Sequence, residues 1–166
     1  MKTLYLVRHA KSSWADNYHE DNQRPLIKEG IKRTNKVISF LLTKDVKPDI
    51  IISSHAIRAY ETSRLIADGL NVPVSHIKVD DNLYYYDEEQ LYHSIFGYSD
   101  EAQSIMIVGH NPTMTQLANR FLETKMDFLP TSTVVCIEFN TKSWGEVPLA
   151  EFNVPWIISP KLFEQS

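Results

Sequence analysis

The chain has 166 residues, of which 43% are hydrophobic and 23% charged, and these globular values predict one domain over residues 1–166. The formal net charge is −4, with both signs spread along the chain, which argues against a nucleic acid or an anionic membrane as partner. No apolar stretch approaches membrane-spanning length and the N-terminus lacks the apolar region of a signal peptide, so we expect a cytoplasmic protein.

The first predicted element is a strand that ends in two chemically active side chains. Leu4 to Val7 form an apolar run that is typical of a strand buried on both faces of an α/β sheet. The run stops at Arg8 and His9, a fixed cation beside a candidate nucleophile or base. Ligands of open α/β sheets bind beyond the carboxyl ends of the strands, which is where these two side chains fall.

The polar loop that follows is expected to border the ligand site. It covers residues 10–24 and contains Asp16, Asn17, Asp21 and Asn22. Pro25 suits the first turn of a helix, whose apolar positions recur at helical spacing: Ile27, Ile31, Thr34, Ile38, Leu41 and Leu42. The other face is basic, and we favour solvated surface over a docking patch for Lys28, Lys32, Arg33 and Lys36.

The second strand, residues 49–53, leads into a helix that reaches about Leu70. Arg58 falls in the first turn of this helix, where a cation is misplaced because the helix dipole is positive there. Two interpretations stay open. Arg58 pairs with a nearby acid such as Glu61, or Arg58 and the free N–H groups of the helix start bind an anion together.

Two further strands and a helix follow in order. Residues 75–79 predict a short strand, and a helix runs over about 87–96. Asp87 and Gln90 resemble a capping box at its start. Residues 104–108 form another apolar strand of the same buried type as the first.

The last third is mostly β after one more helix. Asn111 followed by Pro112 predicts the start of that helix. Strands are predicted over residues 133–139 and roughly 147–154, either as a hairpin or as two separate strands. Cys136 is the single cysteine and falls within the first of them, so we expect a small buried hydrophobe and not a catalytic thiol.

Three apolar strands are each followed by reactive side chains. The first ends in Arg8 and His9, the second ends in Ser53 and leads to Arg58, and the third is followed by His110. If these strands are neighbours in a parallel sheet, the two arginines and two histidines converge at one edge. Arginine donates in a planar fork that matches phosphate oxygens, and histidine can act as a nucleophile. A metal is not expected, because two guanidinium groups repel a cation and no carboxylate accompanies the histidines in these motifs.

Three sequence blocks also resemble a known family. They are Leu6-Val7-Arg8-His9-Ala10, the run from Ser53 to Thr62, and Val108-Gly109-His110-Asn111. In this order they resemble the first histidine block, the second arginine block and the second histidine block of the histidine phosphatase (phosphoglycerate mutase-like) superfamily. The short length and four motifs resemble its SixA-type phosphohistidine phosphatase subgroup: Arg8-His9-Ala10-Lys11-Ser12, Arg24-Pro25-Leu26, His110-Asn111-Pro112 and Leu129-Pro130-Thr131.

The resemblance implies roles for the converging residues. His9 would carry a phosphohistidine intermediate, and Arg8, Arg58 and His110 would bind the phosphoryl oxygens. Ser12, in the same motif as His9, is a further candidate phosphate ligand. The family chemistry requires neither a metal nor another cofactor.

The sequence departs from the family pattern at two places. His55 stands where the family usually has proline, and we favour a tolerated surface histidine over added charge at the pocket mouth. Larger members carry a carboxylic general acid after the second arginine block. In this chain that region is short, and its acids are each expected to be turn or helix-start residues: Asp80, Asp81, Asp87, Glu88 and Glu89.

These observations predict an α/β three-layer sandwich around a mostly parallel sheet with at least one antiparallel strand and helices on both faces. The predicted function is a metal-independent phosphatase that acts through phospho-His9. The favoured substrate is phosphohistidine on a phosphotransfer or phosphocarrier protein. A phosphatase of a small phosphorylated metabolite is the alternative within this class. A non-catalytic phosphate-binding module is the alternative of another class, and it fits poorly because a binder needs no unblocked histidine beside its arginines.

Overall fold

The computed structural model describes residues 1–14 and 20–161. These residues form six strands: β1 (Lys2–Arg8), β2 (Ile50–Ser53), β3 (Ile77–Val79), β4 (Ser104–Gly109), β5 (Val134–Phe139) and β6 (Phe152–Ile158). They also form four α-helices: α1 (Lys28–Thr43), α2 (Ile57–Gly69), α3 (Glu88–Ile95) and α4 (Thr113–Asn119). None of the helices in these two ranges is long and apolar enough to cross a bilayer.

The six strands form one sheet in the order β3-β2-β4-β1-β5-β6. β4 pairs in parallel with both β1 and β2, and β2 pairs in parallel with β3. β5 runs antiparallel to β1 and to β6. The predicted mostly parallel sheet with at least one antiparallel strand is therefore confirmed.

Both faces of the sheet are covered, because the apolar strands alternate their side chains between two cores. Leu4 and Leu6 of β1 point into a core that they share with α3 and α4. Tyr5 and Val7 point into the opposite core, which they share with α1 and α2. This alternation confirms the prediction that the strand is buried on both faces and that the fold has three layers.

The helices begin and end close to where the sequence predicts them. α2 ends at Gly69, the capping box of Asp87 and Gln90 is present at the start of α3, and Cys136 is buried in β5. α4 begins at Thr113, two residues after Asn111, whose side-chain oxygen still accepts from the backbone N–H of Thr115 at 3.2 Å.

The prediction of a strand over residues 147–154 is wrong in its position. Trp144–Leu149 form a 3₁₀ turn, and the strand occupies Phe152–Ile158. Ser143 caps the turn by accepting from the N–H of Gly145, and Pro148 has no N–H to offer a sheet ladder. β5 and β6 are nevertheless antiparallel neighbours, so the hairpin alternative is correct with a longer connection than expected.

The carboxyl ends of three neighbouring strands lie side by side in the sheet. Arg8 pairs with Gly109, and Ser53 pairs with Val108, so β1, β2 and β4 end side by side. The chain leaves β1 towards α1 on one face and leaves β4 towards α4 on the other face. A crevice opens where neighbouring connections diverge in this way, and such crevices are the ligand sites of open α/β sheets.

One glycine of α1 allows this helix to approach the loop that follows β1. A Cβ on Gly30 would collide with the backbone oxygen of Lys11, whereas the nearest atom to a Cβ on Gly97 lies at 3.8 Å. We expect Gly30→Ala to lower the free energy of unfolding by about 1–3 kcal/mol, because the backbone must shift to relieve the overlap. Urea unfolding measures this, with Gly97→Ala as the control that stays within about 0.5 kcal/mol of the wild type. An unchanged Gly30→Ala would contradict the close approach.

Candidate active site

The four side chains that the sequence singled out lie in one cavity of about 200 Å³ at the joint edge of β1, β2 and β4. Arg8 and His9 come from the end of β1, Arg58 from the first turn of α2, and His110 from the residue after β4. The structure therefore brings together the four side chains that were expected to converge if their three strands are neighbours. The described residues that line the cavity are Arg8, His9, Lys11, Ser12, Trp14, Asp21, Arg24, Arg58, His110, Asn111 and Thr131.

His9 is fixed by hydrogen bonds on both its backbone and its ring. Its backbone N–H donates to Gly109 O at 3.1 Å, which ties it to the end of β4. Its Nδ1 lies 2.8 Å from Ala10 O. A carbonyl oxygen can only accept, so Nδ1 carries the proton and Nε2 keeps a lone pair. Arg58 Nε donates to that lone pair at 3.3 Å.

The pKa of His9 is lowered to about 3. Burial is the main cause, since His9 is 7% exposed, and the hydrogen bond to Ala10 opposes it. His110, Arg58 and Arg8 lower the pKa further by charge repulsion. Burial therefore lowers the pKa of His9 more than the charges of the neighbouring arginines do.

His110 stands beside His9, with the two ring centroids 5.2 Å apart. Its Nε2 lies 2.7 Å from Oγ of Ser54, the residue that follows β2. The pKa of His110 is lowered to about 4, chiefly by burial and then by Arg58, while Asp21 opposes the change. Two neutral imidazoles therefore face the cavity at physiological pH.

The two arginines are held by different partners. Arg8 Nη1 donates to Leu129 O at 2.7 Å. Arg58 donates from Nη2 to Asp21 Oδ2 and from Nη1 to Asp21 O, each at 2.8 Å. The acid that pairs with Arg58 is thus Asp21 and not Glu61, whose Oε1 instead accepts from the N–H of Leu26.

Sequence reasoning assigned no role in the site to Trp14, Arg24 or Tyr84. Arg24 is 7% exposed and lies 3.6 Å from the centre of the Trp14 ring, and Tyr84 donates to Asp21 Oδ2 at 2.5 Å. The polar loop was predicted to border the site, and Arg24 belongs to the motif Arg24-Pro25-Leu26 that resembles the SixA-type subgroup, but no role in the site was assigned to it. Asp16 and Asn17 of that loop lie outside the described residues.

Ser12 lines the cavity, as its prediction as a phosphate ligand requires. Its hydroxyl already accepts from Arg24 Nη2 at 2.9 Å. Ser12 therefore also fixes the guanidinium of Arg24 beside the other two arginines. A role for Ser12 as a phosphate ligand stays a prediction.

None of the weak general-acid candidates in the described residues lines the cavity. Asp81 Oδ1 lies 3.4 Å from His55 Nδ1, Asp87 caps α3, and Glu88 pairs with Arg120. His55 is not an isolated surface histidine, because its ring lies 5.2 Å from that of Tyr84 at the rim. Its function stays open.

The described ranges contain no group of three or more histidine, cysteine or acidic side chains placed to hold a metal. The cavity is instead lined by donors that favour an anion. Arg8 Nε, Arg24 Nε and His110 Nδ1 are buried without a hydrogen-bond partner among the described residues. Buried polar atoms are nearly always paired, so the two guanidinium nitrogens are available to a bound acceptor, and so is His110 Nδ1 in the tautomer that carries its proton there.

The first half of the chain matches the family model of the histidine phosphatase superfamily (branch 1), over residues 4–84. The chain belongs to the histidine phosphatase superfamily. The match contains Arg8, His9 and Arg58, while His110 joins them only through the fold. The family prediction is confirmed, and with it the prediction of a phosphatase-type hydrolase.

Solved histidine phosphatases extend the similarity to nearly the whole chain. The SixA protein of Agrobacterium tumefaciens is 25% identical, with a TM-score of 0.78 over 96% of this chain and 99% of that one. The protein histidine phosphatase SixA complexed with tungstate gives a TM-score of 0.80 at 21% identity, over 97% and 99% of the two chains. These matches confirm the SixA-type resemblance. An uncharacterized chloroplastic protein of Arabidopsis thaliana is 31% identical over 87% of this chain and 70% of its own length.

The lowered pKa of His9 predicts how stability depends on pH. An unfolded histidine titrates near about 6.5, so between there and about 3 the unfolded state binds one more proton than the folded state at this position. The folding stability that is linked to this missing proton is fully present above about pH 6.5 and is lost as the pH falls towards about 3. We expect His9→Gln to remove about 1–2 kcal/mol of the stability that the wild type loses between about pH 6.5 and 5. Urea unfolding at both pH values measures this, and equal losses in both proteins would contradict a buried neutral His9.

Proposed function

We propose that the chain is a metal-independent phosphatase that removes the phosphoryl group from phosphohistidine on a phosphotransfer or phosphocarrier protein, through a covalent intermediate on His9. One observation carries the proposal. A buried imidazole presents an unprotonated Nε2 to a cavity that Arg8, Arg24 and Arg58 also line. A site built only to bind phosphate would gain nothing from such a lone pair.

The first step forms a bond between His9 Nε2 and phosphorus. The bond between phosphorus and the leaving atom breaks, and its electron pair goes to the leaving group. Because Arg58 Nε already points at Nε2, a phosphoryl group on that nitrogen would meet Arg58 directly. Arg8 and His110 would bind the remaining oxygens, and these charge-assisted hydrogen bonds stabilise the negative charge of the transition state.

The second step returns the enzyme to its starting state. Water attacks phosphorus, the bond to His9 breaks, and its electron pair returns to Nε2. The products are dihydrogen phosphate and His9 with its proton still on Nδ1, because Ala10 O holds that proton throughout. His9 thus leaves as a neutral imidazole, which is a weak base and a good leaving group.

The unpaired donors support an anionic ligand. Arg8 Nε, Arg24 Nε and His110 Nδ1 all lack partners among the described residues. A tetrahedral oxyanion has enough acceptor sites for several of them at once. The similar SixA structure contains tungstate, which is a tetrahedral oxyanion like phosphate.

The substrate class is supported by the leaving group. An alkyl phosphate must expel an alkoxide, which gains about 10²–10⁴-fold from a positioned general acid. The acids of the region where larger family members carry that group lie outside the cavity lining. An imidazole needs far less help, since its conjugate acid has a pKa of about 6.5. The small cavity admits a side chain, and the similar SixA protein is named a protein histidine phosphatase.

His9 is expected to be indispensable. His9→Ala should abolish both turnover and an acid-labile phosphoenzyme, because the nucleophile is lost, while the far-ultraviolet circular dichroism spectrum stays that of the wild type. His93→Ala, on the exposed side of α3, is the matched control and should keep full activity. Turnover should persist in excess chelator. Retained activity in His9→Ala would contradict covalent catalysis, and loss of activity in chelator would favour a metal mechanism.

Substrates should be ranked by their leaving groups. We expect kcat/KM to be highest for a phosphohistidine protein, lower for an aryl phosphate and lowest for sugar or glycerate phosphates. Phosphate release from equal concentrations of the three classes measures this order. A preference for the sugar phosphates would refute the proposed substrate and favour a metabolite phosphatase. Tight phosphate binding without any turnover would instead favour a binding module.

A further inference from the structure

Asp21 is the one carboxylate that lines the catalytic cavity within residues 1–14 and 20–161. Its Oδ2 accepts from Arg58 Nη2 at 2.8 Å and from the hydroxyl of Tyr84 at 2.5 Å. Its backbone oxygen accepts from Arg58 Nη1 at 2.8 Å. Arg58 therefore connects Asp21 to the nucleophilic Nε2 of His9, and Asp21 borders the reacting centre from the loop side.

The surroundings of Asp21 keep it ionised. Burial by itself would raise the pKa of the carboxyl group, but the hydrogen bonds from Tyr84 and Arg58 and the charges of Arg58 and Arg24 outweigh burial and lower it. Arg24 Nη1 lies 3.5 Å from Oδ1. Asp21 is therefore a hydrogen-bond acceptor at neutral pH and has no proton to give to a leaving group.

One oxygen of Asp21 remains available. Oδ2 is used by Arg58 and Tyr84, whereas Oδ1 makes only the ion pair with Arg24 in the described part of the chain. The Tyr84 ring stands beside it, 5.3 Å from the ring of His110. The two rings meet edge to face, and beside them Oδ1 of Asp21 offers a hydrogen-bond acceptor, which suits an imidazole ring that has one N–H to donate.

We propose that Asp21 is a catalytic residue that selects an imidazole leaving group, by accepting a hydrogen bond from the ring nitrogen that does not carry phosphorus. This inference rests on the proposed function and names its specificity determinant. In the step, His9 Nε2 bonds to phosphorus and the substrate P–N bond breaks, with its electron pair going to the substrate ring. The other ring nitrogen keeps its own proton, which it donates in the hydrogen bond to Asp21, so the ring departs as neutral imidazole.

The charge on Asp21 explains the discrimination. A carboxylate beside the substrate ring favours the protonated, cationic ring before attack, as an aspartate does for the histidine of a catalytic triad. Without that proton the ring would have to leave as imidazolate, which is a much stronger base. An alkyl phosphate brings no N–H, and ionised Asp21 cannot protonate its departing oxygen. Asp21 thus assists P–N cleavage and not P–O cleavage.

The test compares two leaving groups in the full chain. The substrates are a synthetic phosphohistidine peptide and p-nitrophenyl phosphate, whose phenolate leaves without a proton. In Asp21→Asn, one amide oxygen can still accept from Arg58 and Tyr84, but the second oxygen becomes an NH₂ group that cannot accept. We expect kcat for the peptide to fall about 100-fold. The kcat for p-nitrophenyl phosphate and the inhibition constant of inorganic phosphate should both stay close to those of the wild type.

Two further measurements separate this role from a structural one. The alkaline fall of kcat for the peptide should move to lower pH in Asp21→Asn, because the charge that keeps the ring protonated is gone. Asp21→Glu should restore part of the activity. Asp81→Asn, which removes the same charge from the ion pair with His55 at the rim, is the matched control and should behave as wild type on both substrates.

Each outcome has a distinct meaning. Equal losses on both substrates, together with weaker phosphate inhibition, would show that Asp21 only positions Arg58 and would overturn the inference. No loss on the peptide would overturn it as well. A wild-type chain that hydrolyses p-nitrophenyl phosphate but not the peptide would overturn the proposed function and this inference together.

Discussion

The hydrogen bond from His9 Nδ1 to Ala10 O is the contact on which the rest of the site depends. It places the ring proton on the nitrogen that faces the protein and leaves Nε2 as an acceptor, to which Arg58 donates. If His9 were protonated, Nε2 would also carry a proton and could not accept from Arg58. Burial prevents this by lowering the pKa of His9 to about 3. The same desolvation that makes the histidine reactive therefore costs stability at acid pH, where the unfolded chain takes up the proton.

Three guanidinium groups, those of Arg8, Arg24 and Arg58, line the cavity, and the ends of β1, β2 and β4 supply no negative charge to balance them. Their mutual repulsion is tolerable because each has a partner: Arg8 donates to a carbonyl, Arg24 to Ser12, and Arg58 to Asp21. Asp21 is the counter-charge among the described residues that line this cavity, and it accepts from Nη1 and Nη2 of Arg58, whose Nε donates to His9. An incoming phosphoryl group adds a second anion to these cations, whose three positive charges exceed the single negative charge of Asp21.

The fold determines where these groups meet. The crevice between β1 and β4 opens because α1 and α4 pack on opposite faces of the sheet. Backbone hydrogen bonds from His9 to Gly109 and from Ser132 to Arg8 fix the end of β1 to its neighbours at that crevice. Gly30 lets α1 approach the loop after His9, and Thr62 of α2 accepts from the N–H of Ala10 at 2.9 Å. The reactive loop is thus held by elements from both halves of the chain.

The sequence by itself determined the α/β class, most strand and helix positions, and the set of Arg8, His9, Arg58 and His110. These follow from local signals, since apolar runs of strand length, helical spacing and abrupt polar ends are written in neighbouring residues. Only the tertiary structure decided the partner of Arg58, the burial that controls the pKa of His9, the place of Arg24 in the cavity, and the contact between Asp21 and Tyr84. Asp21 and Tyr84 are 63 residues apart, and no periodicity encodes their contact. Such contacts arise when a loop folds over the joint edge of three strands, so they depend on the whole sheet and not on the local pattern.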